Sequence, residues 1–230
     1  RIVLVIDEYP YVAKASKSLA STLQLMIDKH KDASKLFLIL CGSSMSYMED
    51  HVLAYKAPLY GRRTAQLKVQ PFEFMEACKH FPKFAAEDKA IAYGIVGGTP
   101  QYLLQLDDGL SIKENIKKIF LNPSSFLFEE PTNLLKQEVR EPAIYNAIIT
   151  AIATGGTKLS EISSKVGEDT SVCATYIRNL ISLGIVKKET PYGESSGRKT
   201  IYSIEDNMFR LWQKTLRLFQ EVRTSLLIRE

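Results

Sequence analysis

The chain has 230 residues, 45% of them hydrophobic and 24% charged. Those values exclude wholesale disorder and fit one large or two small globular domains, at ~100–200 residues per domain. No apolar run approaches the ~20 residues that cross a bilayer, so no membrane partner is expected. Cys41, Cys78 and Cys173 lie far apart and offer neither a metal spacing nor a disulfide framework, which points to a reducing, cytoplasmic setting. His30, His51 and His80 show no ligand spacing either.

The net charge of +4 is unevenly placed. Residues 1–70 carry 10 basic and 6 acidic side chains, and residues 207–230 carry 5 and 2. Residues 71–135 carry 6 and 9, and residues 136–206 are balanced at 9 and 9. The excess sits at the two ends.

Ile2–Ile6 is a continuous apolar, β-branched run, which predicts a strand buried on both faces of a parallel sheet. It reads as a strand already under way at Arg1 rather than as a leader segment. Residues 16–30 read as a helix with Leu19, Leu23, Met26 and Ile27 on one face. Residues 36–41 read as a second buried strand, stopped by Gly42-Ser43-Ser44, and residues 66–69 as a short third strand ended by Pro71. Helical patterns follow at 72–78, 85–95, 102–106 and 112–120. Gly97-Gly98-Thr99-Pro100 and Asn122-Pro123-Ser124-Ser125 are breaks.

Near residue 142 the pattern changes. Pro142 opens a helix carrying Ile144, Ile148, Ile149 and Ile152, and Gly155-Gly156 ends it. A short helix with Leu159, Ile162 and Val166 stops at Gly167. A third, with Val172, Tyr176, Ile177 and Leu180, stops at Gly184. Strand-like runs at 186–190 and 200–204 flank a loop at 191–197. Three short helices and then a hairpin is the order of a winged helix. Residues 208–228 read as a last helix. It has Trp212, Phe219, Val222 and Leu226 on one side and Arg210, Lys214 and Arg217 on the other, and Trp212 and Phe219 are expected to pack on the preceding domain.

The strongest chemical signal is the apolar run followed by Asp7-Glu8, a Walker B pattern. A rigid strand holds its tip at the mouth of an open sheet, where such folds bind ligands. The first carboxylate there can hold Mg²⁺, and the second can orient or deprotonate the water that attacks a γ-phosphate. The next strand ends in Ser43-Ser44, whose hydroxyls could meet that phosphate or water. Pro58 to Thr64 brings Arg62 and Arg63, side chains suited to transferring phosphoryl charge.

These pieces resemble the archaeal-type prokaryotic AAA/STAND ATPases with a C-terminal winged-helix region. The matching stretches occur in family order: LVIDEYPYV, LFLILCGSSMSYM, PLYGRRTAQLKVQPFEFMEA, YGIVGGTPQYL, LISLGIVKKETPYG and YSIEDNMFRLWQ. The resemblance covers nearly the whole chain. It implies ATP and Mg²⁺ as ligands, Asp7 as the metal carboxylate and Glu8 as the catalytic glutamate. It implies Ser43 or Ser44 as the sensor hydroxyl, and Arg62 and Arg63 as arginine-finger or sensor candidates. The sequence departs from the family at one point: it contains no G-x-x-x-x-G-K-[ST] loop. The run from Gly193 to Thr200 has one residue too few between its glycines and lies in the expected wing. In the family that loop lies upstream of the Walker B strand, so the expectation is a fragment whose 230 residues alone neither bind ATP tightly nor hydrolyse it. A sheet lacking that strand is expected to be distorted or to recruit a strand from elsewhere.

The resulting expectation is a partial α/β P-loop core with a mainly parallel sheet (1–71), a helical lid (72–136), an α+β winged helix (137–206) and a C-terminal amphipathic helix (207–230). If the winged helix reads duplex DNA, Thr170, Ser171, Thr175, Arg178 and Asn179 face the groove, with Lys187, Lys188, Arg198 and Lys199 on the wing. The 9-to-9 charge balance favours a protein partner or self-association instead, because phosphate neutralisation dominates DNA affinity. The alternative class is a non-enzymatic winged-helix regulator with a degenerate ATPase core.

Overall fold

A computed structural model describes residues 2–31, 33–139, 141–193 and 199–215. Arg198, and the expected helix beyond residue 215 with Arg217, Phe219, Val222 and Leu226, lie outside the described residues. The chain divides into two compact units between Lys68 and Val69.

In the first unit, β1 (Ile2–Ile6) pairs in parallel with β2 (Leu36–Leu40). The register sets Ile2 beside Leu36, Leu4 beside Leu38 and Ile6 beside Leu40, so these six share one face. Between the strands run α1 (Tyr9–Ala15) and α2 (Leu19–His30), giving a β-α-α-β crossover. Ile6, Leu38 and Leu40 pack against a small core of Tyr9, Ala13, Leu23, Val52 and Leu59. The opposite face is bare: Val3 is 59% exposed and Phe37 56%, with Val5 and Ile39 exposed beside them. Burial on both faces, expected from the continuous apolar run, is therefore not met, because no described element of this unit covers that side.

After β2 come α3 (Met45–Tyr47) and a π-helical turn over Met48–Leu53. The expected third strand at 66–69 does not form. Leu67 is 86% exposed and Val69 83%. A strand exists only where a neighbour completes its ladder, and among the described residues none pairs with this run.

The second unit is mostly helical. It holds α4 (Phe74–Ala77) with a 3₁₀ turn at Cys78–His80, α5 (Ala86–Val96), α6 (Pro100–Leu103), α7 (Ile112–Phe120) and α8 (Phe126–Glu138). Then come α9 (Pro142–Ala153), α10 (Leu159–Val166), α11 (Thr170–Ser182) and an antiparallel hairpin of β3 (Val186–Glu189) and β4 (Ile201–Ile204). Residues 207–215 are helical. Gly98 permits the α5–α6 corner: a Cβ there would sit 1.8 Å from the Phe72 carbonyl oxygen. The sequence gives a break at 122–125 and delimits no helix in the rest of the expected lid, whereas α8 forms there despite an interior Pro131. The full burial of Leu127 and Leu135 outweighs the hydrogen bond that the proline removes.

One core runs through the whole unit, from Phe81 and Leu103 through Leu127, Ile148 and Ile177 to Phe209. The segment 207–215 closes it with polar bonds. Asn207 Nδ2 donates to the Tyr93 carbonyl at 3.0 Å, and Trp212 Nε1 to the Phe128 carbonyl at 2.9 Å. Thr150 Oγ1 donates to Gln213 Oε1 at 3.2 Å. Trp212 thus anchors on α8 at the edge of this core.

The α6–α7 connection depends on Asn115, which is fully buried. Its Oδ1 accepts from the Asp107 N–H at 2.8 Å, and its Nδ2 donates to the carbonyls of Asp107, Ser111 and Leu110 at 2.8, 3.1 and 3.3 Å. Asn115→Ala strands those groups, so urea denaturation should show a loss of about 2–4 kcal/mol. A loss below about 0.5 kcal/mol, the range of ordinary surface changes, would contradict this role.

Candidate active site

The C-terminal tips of β1 and β2 carry Asp7-Glu8 and Cys41 to Ser44 side by side. The backbone couples them directly. The Cys41 N–H donates to the Ile6 carbonyl at 3.1 Å, and the Tyr9 N–H donates to the Cys41 carbonyl at 2.9 Å. Pro10, in the first turn of α1, rests on Gly42 so closely that a Cβ there would lie 2.3 Å from Pro10 Cδ. Only glycine fits under that ring.

Glu8 adopts the left-handed conformation, φ 47° and ψ 41°, and is the one non-glycine residue with positive φ among the described residues. Such a conformation costs of order 1–3 kcal/mol and marks a turn that its surroundings dictate. Here the Ser43 hydroxyl lies 3.2 Å from both Glu8 carboxylate oxygens. The Glu8 N–H meanwhile donates to Asp7 Oδ1 at 2.9 Å. The same Oδ1 accepts from the Cys41 thiol at 3.3 Å. Asp7, Glu8 and Ser43 are all solvent-exposed, and Ser44 is half-buried at the N-cap of α3.

The sequence reads Cys41 as an inert core thiol of a buried strand, and the structure corrects this. The residue is half-buried rather than sealed in the core. Its hydrogen bond to Asp7 raises the thiol above the ordinary cysteine range, and burial and the two carboxylates act in the same direction. The available signal was its place at the strand tip, immediately before Gly42.

The arginines separate. Arg62 forms a bidentate pair with Asp28 on α2, Nε–Oδ1 2.7 Å and Nη2–Oδ2 2.8 Å. Its Nη1 closes the turn on the Pro58 and Tyr60 carbonyls at 2.9 and 3.2 Å. Arg62 thereby holds the Asp28 carboxyl below its usual range. Arg63 lies over the Tyr60 ring, 5.9 Å from its centroid.

No group of three His, Cys, Asp or Glu side chains that could cage a metal occurs among the described residues. One exposed carboxylate at a strand tip does fit Mg²⁺, which keeps several waters and takes one or two carboxylates plus phosphate oxygens.

On α11, Thr170, Ser171, Thr175 and Arg178 are exposed, and Arg178 Nη2 donates to Thr175 Oγ1 at 3.1 Å. Asn179 instead donates to the Tyr145 hydroxyl at 2.7 Å. Tyr176 bonds Glu141, which pushes its phenol up to about 12. Lys187 pairs with Glu189 at 3.0 Å and with Glu205 at 3.4 Å, while Lys188 and Lys199 are exposed.

Comparison with known proteins concerns the sequence and the fold. Residues 1–106 match a family model described as an ATPase domain predominantly from Archaea. An uncharacterised protein of Methanocaldococcus jannaschii is 36% identical over 211 residues, which are 91% of this chain and 48% of that protein. A Walker-type ATPase of Pyrococcus abyssi shares the fold, with a TM-score of 0.66 at 19% identity, over 92% of this chain and 63% of that one. The chain thus spans about half the length of the curated relative it matches. Residues 1–106 are thus similar to an archaeal ATPase domain, and the likeness to the Pyrococcus protein is one of fold. No helix among the described residues is long and apolar enough to cross a membrane.

The thiolate is the species that alkylates, so the raised Cys41 thiol should react slowly with iodoacetamide at pH 8. Asp7→Asn removes the carboxylate, and peptide mapping should then show Cys41 modified severalfold faster. An unchanged rate would contradict the bond.

Proposed function

We propose that these two strand tips are the metal-binding and hydrolytic half of an ATP site. The observation that carries this reading is the placement of Asp7-Glu8 at the end of β1, with Ser43 of the neighbouring tip hydrogen-bonded to Glu8. Asp7 would hold Mg²⁺, which when bound shields the phosphate charge during transfer. Glu8 orients the attacking water and takes its proton as the water oxygen bonds to the γ-phosphorus and the bond to the β-phosphate oxygen breaks. Ser43 holds the Glu8 carboxylate and, with Ser44, supplies hydroxyls toward the γ-phosphate or the water. Of the two arginines, Arg63 is the one we assign to phosphate contact, because Arg62 is committed to Asp28.

ATP affinity further requires a phosphate-cradling loop, which residues 1–230 do not contain. On this reading the 230 residues by themselves do not hydrolyse ATP. The bare face of Val3, Val5, Phe37 and Ile39, and the open sheet edges, would pack against the part of the nucleotide core that carries the loop.

Residues 137–206 we read as a winged helix that reports the nucleotide state to a protein partner. Lys187 is neutralised by two carboxylates and Asn179 is turned onto Tyr145, which disfavours duplex DNA. Shared packing of this region with α5 to α8 around one core suits a part that moves as a single body.

In the natural protein, Glu8→Gln should keep ATP binding and lower hydrolysis by about 10²–10⁴-fold, the usual share of a general base. Hydrolysis at the wild-type rate in Glu8→Gln would refute the assignment of Glu8, and an absence of hydrolysis by the unsubstituted protein would favour a non-enzymatic regulator.

A further inference from the structure

We infer that Cys41 is a positioning residue for the metal carboxylate: its thiol fixes the rotation of Asp7 so that Oδ2 is the oxygen presented to the metal. This rests on the reading of Asp7 given above and extends it to a residue that takes no part in the chemistry.

Three observations combine. First, Asp7 Oδ1 takes two donors from its own strand tips, the Glu8 N–H at 2.9 Å and the Cys41 S–H at 3.3 Å. No bond to Oδ2 occurs among the described residues, so the two oxygens are sharply unequal. Second, the backbone that carries the sulfur is fixed beside the carboxylate. Cys41 is tied through its N–H to Ile6 and through its carbonyl to Tyr9, the residues flanking Asp7-Glu8, and the next residue, Gly42, is pinned under Pro10. Third, the thiol has a fallback acceptor, the Ile6 carbonyl at 3.8 Å. It can leave Asp7 without becoming an unpaired buried donor, so its bond to Oδ1 is a matter of orientation rather than of holding the fold. A carboxylate with one oxygen doubly hydrogen-bonded rotates little about its terminal torsion, which is otherwise broad. Mg²⁺ demands near-ideal octahedral placement of its ligands and is sensitive to such freedom.

The test uses the natural protein and reads Mg²⁺-dependent ATP binding with a fluorescent nucleotide, together with melting temperature. Cys41→Ala removes the donor and keeps both backbone bonds. The Mg²⁺ concentration at half-saturation should rise about threefold to tenfold, the low end for losing a bond to a charged group because S–H is a weak donor. Cys41→Ser restores a donor and should lie within about twofold of wild type, a spread small beside the loss of a bond. Melting temperatures should stay together across the three proteins. Wild-type half-saturation in Cys41→Ala overturns the proposal. So does a shift in Cys41→Ala that Cys41→Ser does not rescue, or one that follows a fall in melting temperature. Asp7→Asn separates this failure from that of the underlying reading. If Asp7→Asn binds ATP with an unaltered Mg²⁺ requirement, Asp7 is not the metal ligand, and both fall together.

Discussion

The arrangement at the candidate site depends on one constraint, the backbone lock between two strand tips. Parallel pairing brings Ile6 beside Leu40, and the bonds Cys41 to Ile6 and Tyr9 to Cys41 extend that pairing past the end of the sheet into the turns. Without them Asp7-Glu8 and Ser43-Ser44 would sit on independent loops. With them, Glu8 is forced into a left-handed turn, its carboxylate meets Ser43, and Asp7 meets Cys41. The strain at Glu8 and the ring of Pro10 on Gly42 are consequences of the same closeness. A pair of side chains gains precision when its supports are fixed by packing and backbone bonds rather than by the flexible groups themselves.

Much of this was legible in the amino-acid sequence. An apolar, β-branched run ending in Asp-Glu, and a second ending in Gly-Ser-Ser, are local patterns that name both the element and its polar tip. The order of three helices and a hairpin after residue 142 was equally legible, because Gly167 and Gly184 end the helices where left-handed backbone is needed. What escaped was non-local. The Arg62–Asp28 pair joins residues 34 apart in sequence, as does the Cys41–Asp7 bond, and no periodicity encodes either. The run 66–69 has strand composition, but composition cannot supply the neighbour that makes a strand. The sequence reading delimits no helix at α1 or α8, and each of these helices carries a proline. Pro10 falls in the first turn, where its missing N–H costs nothing, and Pro131 is carried by the buried leucines around it.

In the second unit the helices before and after residue 140 share one apolar core. Its dominant contacts are apolar and continuous, and the helical residues 207–215 reach back to α5, α8 and α9 through Asn207, Trp212 and Gln213. Any signal passed to residues 137–206 would be carried by the displacement of a packed unit, since close-packed interiors transmit strain instead of absorbing it.

The central claim is that Asp7 and Glu8 face the γ-phosphate end of a Mg-ATP site. A crystal structure of the natural protein with Mg²⁺ and a non-hydrolysable ATP analogue tests it most directly. The account predicts the metal on the Oδ2 side of Asp7, bound directly or through one water, with the Glu8 carboxylate directed at a water beside the γ-phosphate. A nucleotide lodged away from the β1 and β2 tips, or a metal held by other carboxylates, would contradict it.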